Sequence, residues 1–192
     1  NWREIPGYAP RGPALDSLRA LCFTPLGDDS FWWERSSFFN DDFSKRIDTR
    51  SVEIVSGVEA KYSFIAAPET ADGVERLVVV VPGIGAGRFS PEVVAMGEFL
   101  NGTGRAVVLC DSLFHWESMC TVNRGVLPGN LTEDAQRFGF YLKNLLADLR
   151  EDGLVRSPEV SVIGWSMGGL TALHLAALDE KGVLPVDVKR FV

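Results

Sequence analysis

The fold is decided by the stretch Gly164-Trp165-Ser166-Met167-Gly168, which lies at a corner between two elements. The apolar run 160–163 before it predicts a buried strand, and the apolar run 170–178 after it predicts a helix. Glycine stands two residues before and two residues after the serine, where a sharp strand-to-helix turn leaves no room for side chains. The pattern therefore predicts a serine hydroxyl exposed at the carboxyl end of a sheet, beside a helix N-terminus.

This corner has the pattern of a nucleophile elbow, a turn that holds a serine at strained backbone angles. The free N–H groups at the start of the following helix point toward the charge that develops when such a hydroxyl attacks a carbonyl. The alternative is a glycine-rich turn with an incidental serine, because short Gly/Ser spacings recur by chance. The strand before the motif and the helix after it favour the elbow.

The rest of the chain predicts strands that alternate with helices, as in a mostly parallel sheet. Alternating polar and apolar residues indicate the hairpin, and continuously apolar runs indicate parallel strands covered on both faces. In chain order we expect a hairpin at 51–67, a strand at 77–81, a helix at 90–102, a strand at 106–110, a helix at 132–153, the strand and helix of the corner, and a final strand at 186–192.

Two predicted helices carry apolar stripes that should pack against the sheet. These stripes are Val93, Met96, Phe99 and Leu100 in the first, and Ala135, Phe138, Leu142, Leu145, Leu146 and Leu149 in the second. Between these helices, 111–130 is predicted as a long, turn-rich connection in which Asp111 is a turn or cap residue. Thr132 is the predicted N-cap of the second helix.

The composition is that of one globular domain, which we divide into residues 1–48 and an α/β core at 49–192. The N-terminal part is irregular and rich in aromatic residues, and we favour packing over a sheet edge to a role as a lid or contact surface.

The net charge is −7 and there is no long basic run, which argues against a nucleic-acid partner. The apolar runs are too short for a membrane span. The three cysteines have no metal-ligand spacing and are expected to be reduced and buried.

From residue 50 to 192 the chain resembles the α/β-hydrolase superfamily, and within it bacterial serine hydrolases of the lipase, esterase and peptidase type. The resemblance rests on the hairpin, the alternating strands and helices, and the Gly-x-Ser-x-Gly motif after the fifth strand. It implies a mostly parallel sheet with helices on both faces and Ser166 as the catalytic nucleophile. Relatives carry the catalytic acid and histidine after later strands, so the resemblance also implies that this chain stops near strand 6, before both.

A second glycine-rich stretch, Pro82-Gly83-Ile84-Gly85-Ala86-Gly87, follows the third strand. The resemblance implies an oxyanion hole here, with the backbone N–H groups of Ile84 and Met167 as its donors. Pro82 stands where relatives often have histidine, which leaves the backbone donor in place. A phosphate-binding loop is the alternative, but the stretch lacks the spacing and the Lys-Ser/Thr ending of such loops.

A serine nucleophile needs a histidine as base and a carboxylate that orients it. Of the two histidines in the chain, His174 lies eight residues beyond Ser166, about 12 Å along the helix axis, and is expected to be a helix residue. His115 follows the fourth strand and is expected, with Trp165, to line the substrate pocket rather than to act as base. We therefore expect the acid and the histidine beyond Val192, and little or no activity from these 192 residues alone.

The sequence thus predicts a serine hydrolase acting on a small-molecule ester or acyl substrate, or on an amide. No metal and no organic cofactor are expected, because nucleophile, base and oxyanion donors are all protein groups. Two alternatives stay open: a non-catalytic, hydrolase-like binding protein, and an acyltransferase on the same fold. The substrate and the oligomeric state are not determined. A cytoplasmic location is favoured over export, although a chain that opens on Asn1 is compatible with a removed leader.

Overall fold

The computed structural model describes residues 43–68 and 75–192. The aromatic N-terminal segment, residues 1–48, lies almost wholly outside these ranges, so its packing over a sheet edge stays a prediction. The helices and strands are β1 Asp48–Val55, β2 Val58–Ile65, β3 Arg76–Val81, α1 Pro91–Gly102, β4 Ala106–Leu109, α2 Trp116–Cys120, α3 Leu131–Glu151, β5 Glu159–Gly164, α4 Met167–Glu180 and β6 Arg190–Phe191.

The strands form one open six-stranded sheet in the order β1-β2-β4-β3-β5-β6. β1 and β2 make the predicted antiparallel hairpin, and β2 runs antiparallel to β4. β4, β3, β5 and β6 are mutually parallel. Central β3 is buried throughout from Leu77 to Val81, as its continuous apolar run predicts. The predicted α/β architecture is confirmed.

Helices cover both faces of this sheet. Successive strand residues point to opposite faces, and the two core clusters divide β3 accordingly, with Val79 in one and Val80 in the other. The first cluster contains residues of α3 and α4, and the second contains residues of α1 together with Phe43. The predicted stripe of α3 is buried along its whole length. Among the described helices, none combines the length and the apolar character that a membrane crossing requires.

The apolar stripe predicted for α1 is wrong at Phe99, whose surface is 64% exposed. The helix approaches the sheet through Gly97, where an added Cβ would lie only 2.8 Å from Leu109 Cδ2. Because this close approach sets the rotation of the helix, Phe99 points sideways. There it lines a groove of about 380 Å³ together with Val78 and Ile163.

Other predicted boundaries also shift. α3 begins at Leu131, and Asn130 is its N-cap, with a side chain that accepts from the backbone N–H of Glu133. The connection after β4 contains the short helix α2, which the sequence pattern did not indicate. The last strand is confined to Arg190–Phe191, and Val188 before it is buried in the core. Of the described cysteines, Cys110 is buried as expected, but Cys120 is exposed.

Arg50 joins the hairpin to α3. Its Nε donates to Asp148 Oδ2 at 2.7 Å and to the hydroxyl of fully buried Tyr62 at 3.1 Å, and that hydroxyl in turn donates to Asp148. Partial burial opposes the ionisation of Asp148, but the hydrogen bonds from Arg50 and Tyr62 prevail and lower the pKa of Asp148 below its ordinary value. The ionised carboxylate therefore stabilises the contact between hairpin and helix.

Replacement of Asp148 by asparagine is expected to lower the free energy of unfolding by about 1–3 kcal/mol at pH 7. Since the folded pKa lies below the unfolded one, this stabilisation is complete above about pH 4 and is lost as the pH falls through the folded pKa. Urea unfolding at pH 7, 5 and 3 should show the difference shrinking in acid. Glu133→Gln, at an exposed ion pair of the same helix, is the control. An Asp148→Asn deficit that is constant across these pH values would contradict this account.

Candidate active site

The turn between β5 and α4 holds Ser166 at φ 54° and ψ −124°. It is the only residue other than glycine with a positive φ in the described part of the chain, and such a conformation is sparsely populated. Its side chain is exposed and makes no capping hydrogen bond. The structure therefore presents a free hydroxyl at the carboxyl end of β5, in the geometry that the motif predicts.

The two glycines of the motif are required by a close backbone approach. A Cβ added to Gly168 would lie 2.0 Å from the carbonyl oxygen of Val81 and 2.5 Å from that of Pro82. A Cβ added to Gly164 would lie 2.3 Å from the carbonyl oxygen of Gly168. Neither glycine has a positive φ, so space alone imposes the choice. Strand, helix and the end of β3 therefore meet backbone to backbone beneath Ser166.

The stretch Pro82–Gly87, here called the glycine loop, lies against the serine. A Cβ added to Gly83 would be 3.7 Å from Ser166 Oγ. The loop contains a tight turn in which the Ala86 N–H donates to the Gly83 carbonyl oxygen at 3.2 Å, and Gly85 takes the positive φ of 76° that a type II turn requires at this position.

The residues that follow Gly83 and Ser166 in the chain are Ile84 and Met167, the two predicted oxyanion donors. The N–H of Ile84 has no hydrogen-bond partner among the described residues, and the Ile84 side chain points away, 62% exposed. Met167 is the first residue of α4, so its N–H is one of the free donors of a helix N-terminus. Among the described residues neither N–H has a hydrogen-bond partner, and their role as oxyanion donors stays a prediction.

His174 faces away from the serine, as predicted. It is half-buried on α4, and its Nδ1 lies 3.4 Å from Thr132 Oγ1 at the start of α3. The residue therefore contributes to the contact between two helices.

His174→Ala is expected to leave turnover of an ester unchanged within about threefold, because the side chain lies about 12 Å from the turn. Its effect should fall on stability, at about 1 kcal/mol or less for the loss of one exposed hydrogen bond. The measurement is kcat and Tm of the whole protein and of the variant. A normally folded variant whose kcat falls about 10³-fold would contradict this prediction and make His174 a candidate for the catalytic base.

His115 lies at the other end of the glycine loop, next to Gly87. A Cβ added to Gly87 would be 3.1 Å from His115 Nε2, and His115 Nδ1 is 4.0 Å from Asp111 Oδ1. That Nδ1 is buried and has no hydrogen bond. His115 lines a cavity of about 490 Å³ together with Phe89. Trp165, the other residue predicted for the pocket, lies at Gly83 and packs against the core on the α1 side.

A buried ion pair at this edge of the sheet has no counterpart in the sequence pattern. Asp111, expected to be a turn or cap residue, instead pairs with Arg88, and Arg88 also pairs with Glu117. Burial raises the pKa of the Asp111 carboxyl, while the hydrogen bond from Arg88 lowers the pKa of the Glu117 carboxyl. No spacing in a single sequence connects these three positions, so no local signal was available.

The same cluster brings together atoms that metals bind. One ligand atom each from Asp111, His115 and Glu117 lies within 4.8 Å of the others. The guanidinium of Arg88, however, donates to both carboxylates and already supplies the positive charge between them. The donor set therefore fits an arginine better than a metal cation.

No protein-family model matches this sequence, and neither does any curated protein. Among solved structures, an esterase from Pyrococcus furiosus matches with a TM-score of 0.50 and 17% identity over 74% of this chain and 49% of its own. A cold-adapted esterase from an Arctic intertidal metagenomic library matches with a TM-score of 0.50 and 18% identity, over 69% and 56%. A dienelactone hydrolase from Anabaena variabilis has 22% identity and a TM-score of 0.49, over 70% and 60%.

The two matches with a TM-score of 0.50 show that this chain has the α/β-hydrolase fold, as the sequence resemblance implied. The chain spans 49–60% of the length of the three structures.

Proposed function

We propose that the whole protein is a serine hydrolase that cleaves a carboxylic ester, or an amide, through an acyl-enzyme on Ser166. The observation that carries this proposal is the exposed hydroxyl of Ser166 at φ 54°, on a turn that only glycines can flank. A residue held at such angles costs about 1–3 kcal/mol, and strain of this kind clusters at functional sites. The esterases of the same fold support the choice of chemistry.

In the proposed reaction, Ser166 Oγ attacks the carbonyl carbon of the substrate and a base takes the hydroxyl proton. The carbonyl oxygen becomes an anion that accepts hydrogen bonds from the N–H groups of Ile84 and Met167. Each such donor typically contributes about 3–4 kcal/mol to transition-state stabilisation. The leaving alcohol or amine takes a proton, and water then hydrolyses the acyl-enzyme. His115 and Trp165 are the proposed pocket residues at the two ends of the glycine loop.

The base is the part of this mechanism that the described residues do not supply. His174 contacts Thr132, and His115 lies at Gly87, at the opposite end of the glycine loop from Gly83, which lies against Ser166. We therefore assign the catalytic histidine and its carboxylate to residues outside this sequence. A hydrolase-like binding protein is the second candidate, because a serine without a base would suit binding alone.

Purified as residues 1–192, the chain is expected to show little or no hydrolysis of a short activated ester, because Ser166 stays protonated without a base. The whole protein should hydrolyse the same ester, and the comparison of the two is the test. If the whole protein also showed no turnover, the result would favour the hydrolase-like binding protein over the serine hydrolase. If the 192 residues alone gave turnover that Ser166→Ala and His115→Ala both abolished, His115 would be the base and the assignment above would be wrong.

A further inference from the structure

The glycine loop is held to the end of β4 through Arg88, the residue that follows it. The backbone N–H of Arg88 donates to Asp111 Oδ1 at 2.6 Å, and its Nη1 donates to Asp111 Oδ2 at 2.5 Å. The same Nη1 donates to Glu117 at the start of α2. Arg88 is 6% exposed and Asp111 is 5% exposed, so this attachment is shielded from water.

The loop is also restrained at its two ends, because the Gly87 N–H donates to Ser90 Oγ at 3.0 Å, the Ser90 N–H donates to the Gly87 carbonyl oxygen at 2.9 Å, and Gly83 lies against Trp165 and Ser166. Three of its six residues are glycines, which have no side chain to pack and lose the most conformational entropy on ordering. Its internal turn rests on the bond from Ala86 to Gly83, and the Ser112 N–H donates to the Ala86 carbonyl oxygen at 2.9 Å. Between these ends the path of the loop therefore depends in part on the contacts that its C-terminal end makes with the residues after β4.

We propose that Arg88, paired with Asp111 and Glu117, is a positioning residue that fixes the N–H of Ile84 opposite the hydroxyl of Ser166. This proposal rests on the proposed function, since it gives Ile84 the role of oxyanion donor. An oxyanion donor must lie about 2.7–3.1 Å from the developing charge. A small displacement of the loop would therefore weaken transition-state stabilisation while leaving the fold intact.

The chemistry of the attachment supports a positioning role over a purely stabilising one. Removing an arginine and a carboxylate from water carries a large desolvation cost, and well-packed apolar side chains often give equal or greater stability. Arg88 Nε is also buried and has no hydrogen bond, so the guanidinium does not use all its donors. The ion pair fixes the orientation of Arg88, because the Asp111 carboxylate accepts from both its backbone N–H and its side chain.

Arg88→Met in the whole protein, with Arg137→Met as the matched control, tests this proposal. Arg137 also pairs with two carboxylates, Glu133 and Asp134, but lies on α3. We expect amide hydrogen exchange at Ala86 and Gly87, the loop residues whose N–H groups donate hydrogen bonds, to accelerate by about tenfold or more in Arg88→Met and to stay unchanged in Arg137→Met. This measurement does not depend on catalysis.

The second readout is the turnover of an ester and of its thionoester, in which sulfur, a weaker hydrogen-bond acceptor, replaces the carbonyl oxygen. We expect Arg88→Met to lower kcat for the ester about 10²-fold, with KM within about threefold, and to reduce the preference for the ester over the thionoester. Glu117→Gln, which leaves the bonds to Asp111 in place, should give the same changes at smaller size. It is the test variant if Arg88→Met does not fold.

A folded Arg88→Met or Glu117→Gln whose loop exchange, kcat and ester preference all equal those of Arg137→Met would overturn the proposal. Faster loop exchange with unchanged kcat and preference would overturn it as well, since the loop position would then not matter for the chemistry. Failure of the proposed function has a different signature, in which Ser166→Ala retains full turnover.

Discussion

Gly168→Val is expected to lower the free energy of unfolding by about 3 kcal/mol or more, and to abolish any activity with it. A Cβ at this position would overlap the carbonyl oxygen of Val81 at 2.0 Å. That oxygen belongs to β3, which is fixed between β4 and β5 at the centre of the sheet. Neither backbone can retreat without breaking strand pairs, so the collision cannot be relieved by rotating a side chain.

The neighbouring glycine provides a matched control. A Cβ added to Gly169 would lie 3.4 Å from the carbonyl oxygen of Gly164, close to ordinary contact. Because alanine is also the better helix former, Gly169→Ala should change stability by less than about 1 kcal/mol. Urea unfolding of both variants gives the comparison. A Gly168→Val protein with the wild-type free energy of unfolding would mean that the turn does not bring Gly168 against the backbone of Val81.

Ser166→Ala is expected to have the second large effect. It should lower kcat of the whole protein by about 10⁴-fold or more. The variant removes the nucleophile but keeps the turn, so its Tm should stay close to that of the wild type. Ser166→Gly should be equally inactive yet more stable by about 1 kcal/mol, because glycine accepts the positive φ of 54° without strain.

Ser161→Ala is the control for this loss, since Ser161 lies earlier on β5 and far from the turn. The measurement is kcat/KM on a short activated ester, together with Tm, for the four proteins. A Ser166→Ala variant that retains more than about a tenth of wild-type kcat/KM would contradict the assignment of the nucleophile.

Much of the fold could be predicted because its signals are local. The continuous apolar run of β3, the stripe of α3 and the glycines around Ser166 each specify a conformation within a few residues of sequence. The turn at Ser166 is the clearest case, since the same two glycines that suggested it are the ones that the backbone approach requires.

The features that could not be predicted depend on distant residues. The exposure of Phe99 follows from the contact of Gly97 with Leu109, which fixes the rotation of α1. The pairing of Arg88 with Asp111 joins residues that follow two different strands. Periodicity and motif spacing contain no information on either contact.

Fluorophosphonate labelling of the whole protein, followed by mass spectrometry of its peptides, tests the central claim most directly. A fluorophosphonate forms a stable bond with an activated serine, and the mass of the adduct identifies the residue. We expect one adduct, on the peptide that contains Ser166, and none in Ser166→Ala. An adduct on another serine, or equal labelling of the Ser166→Ala protein, would contradict it.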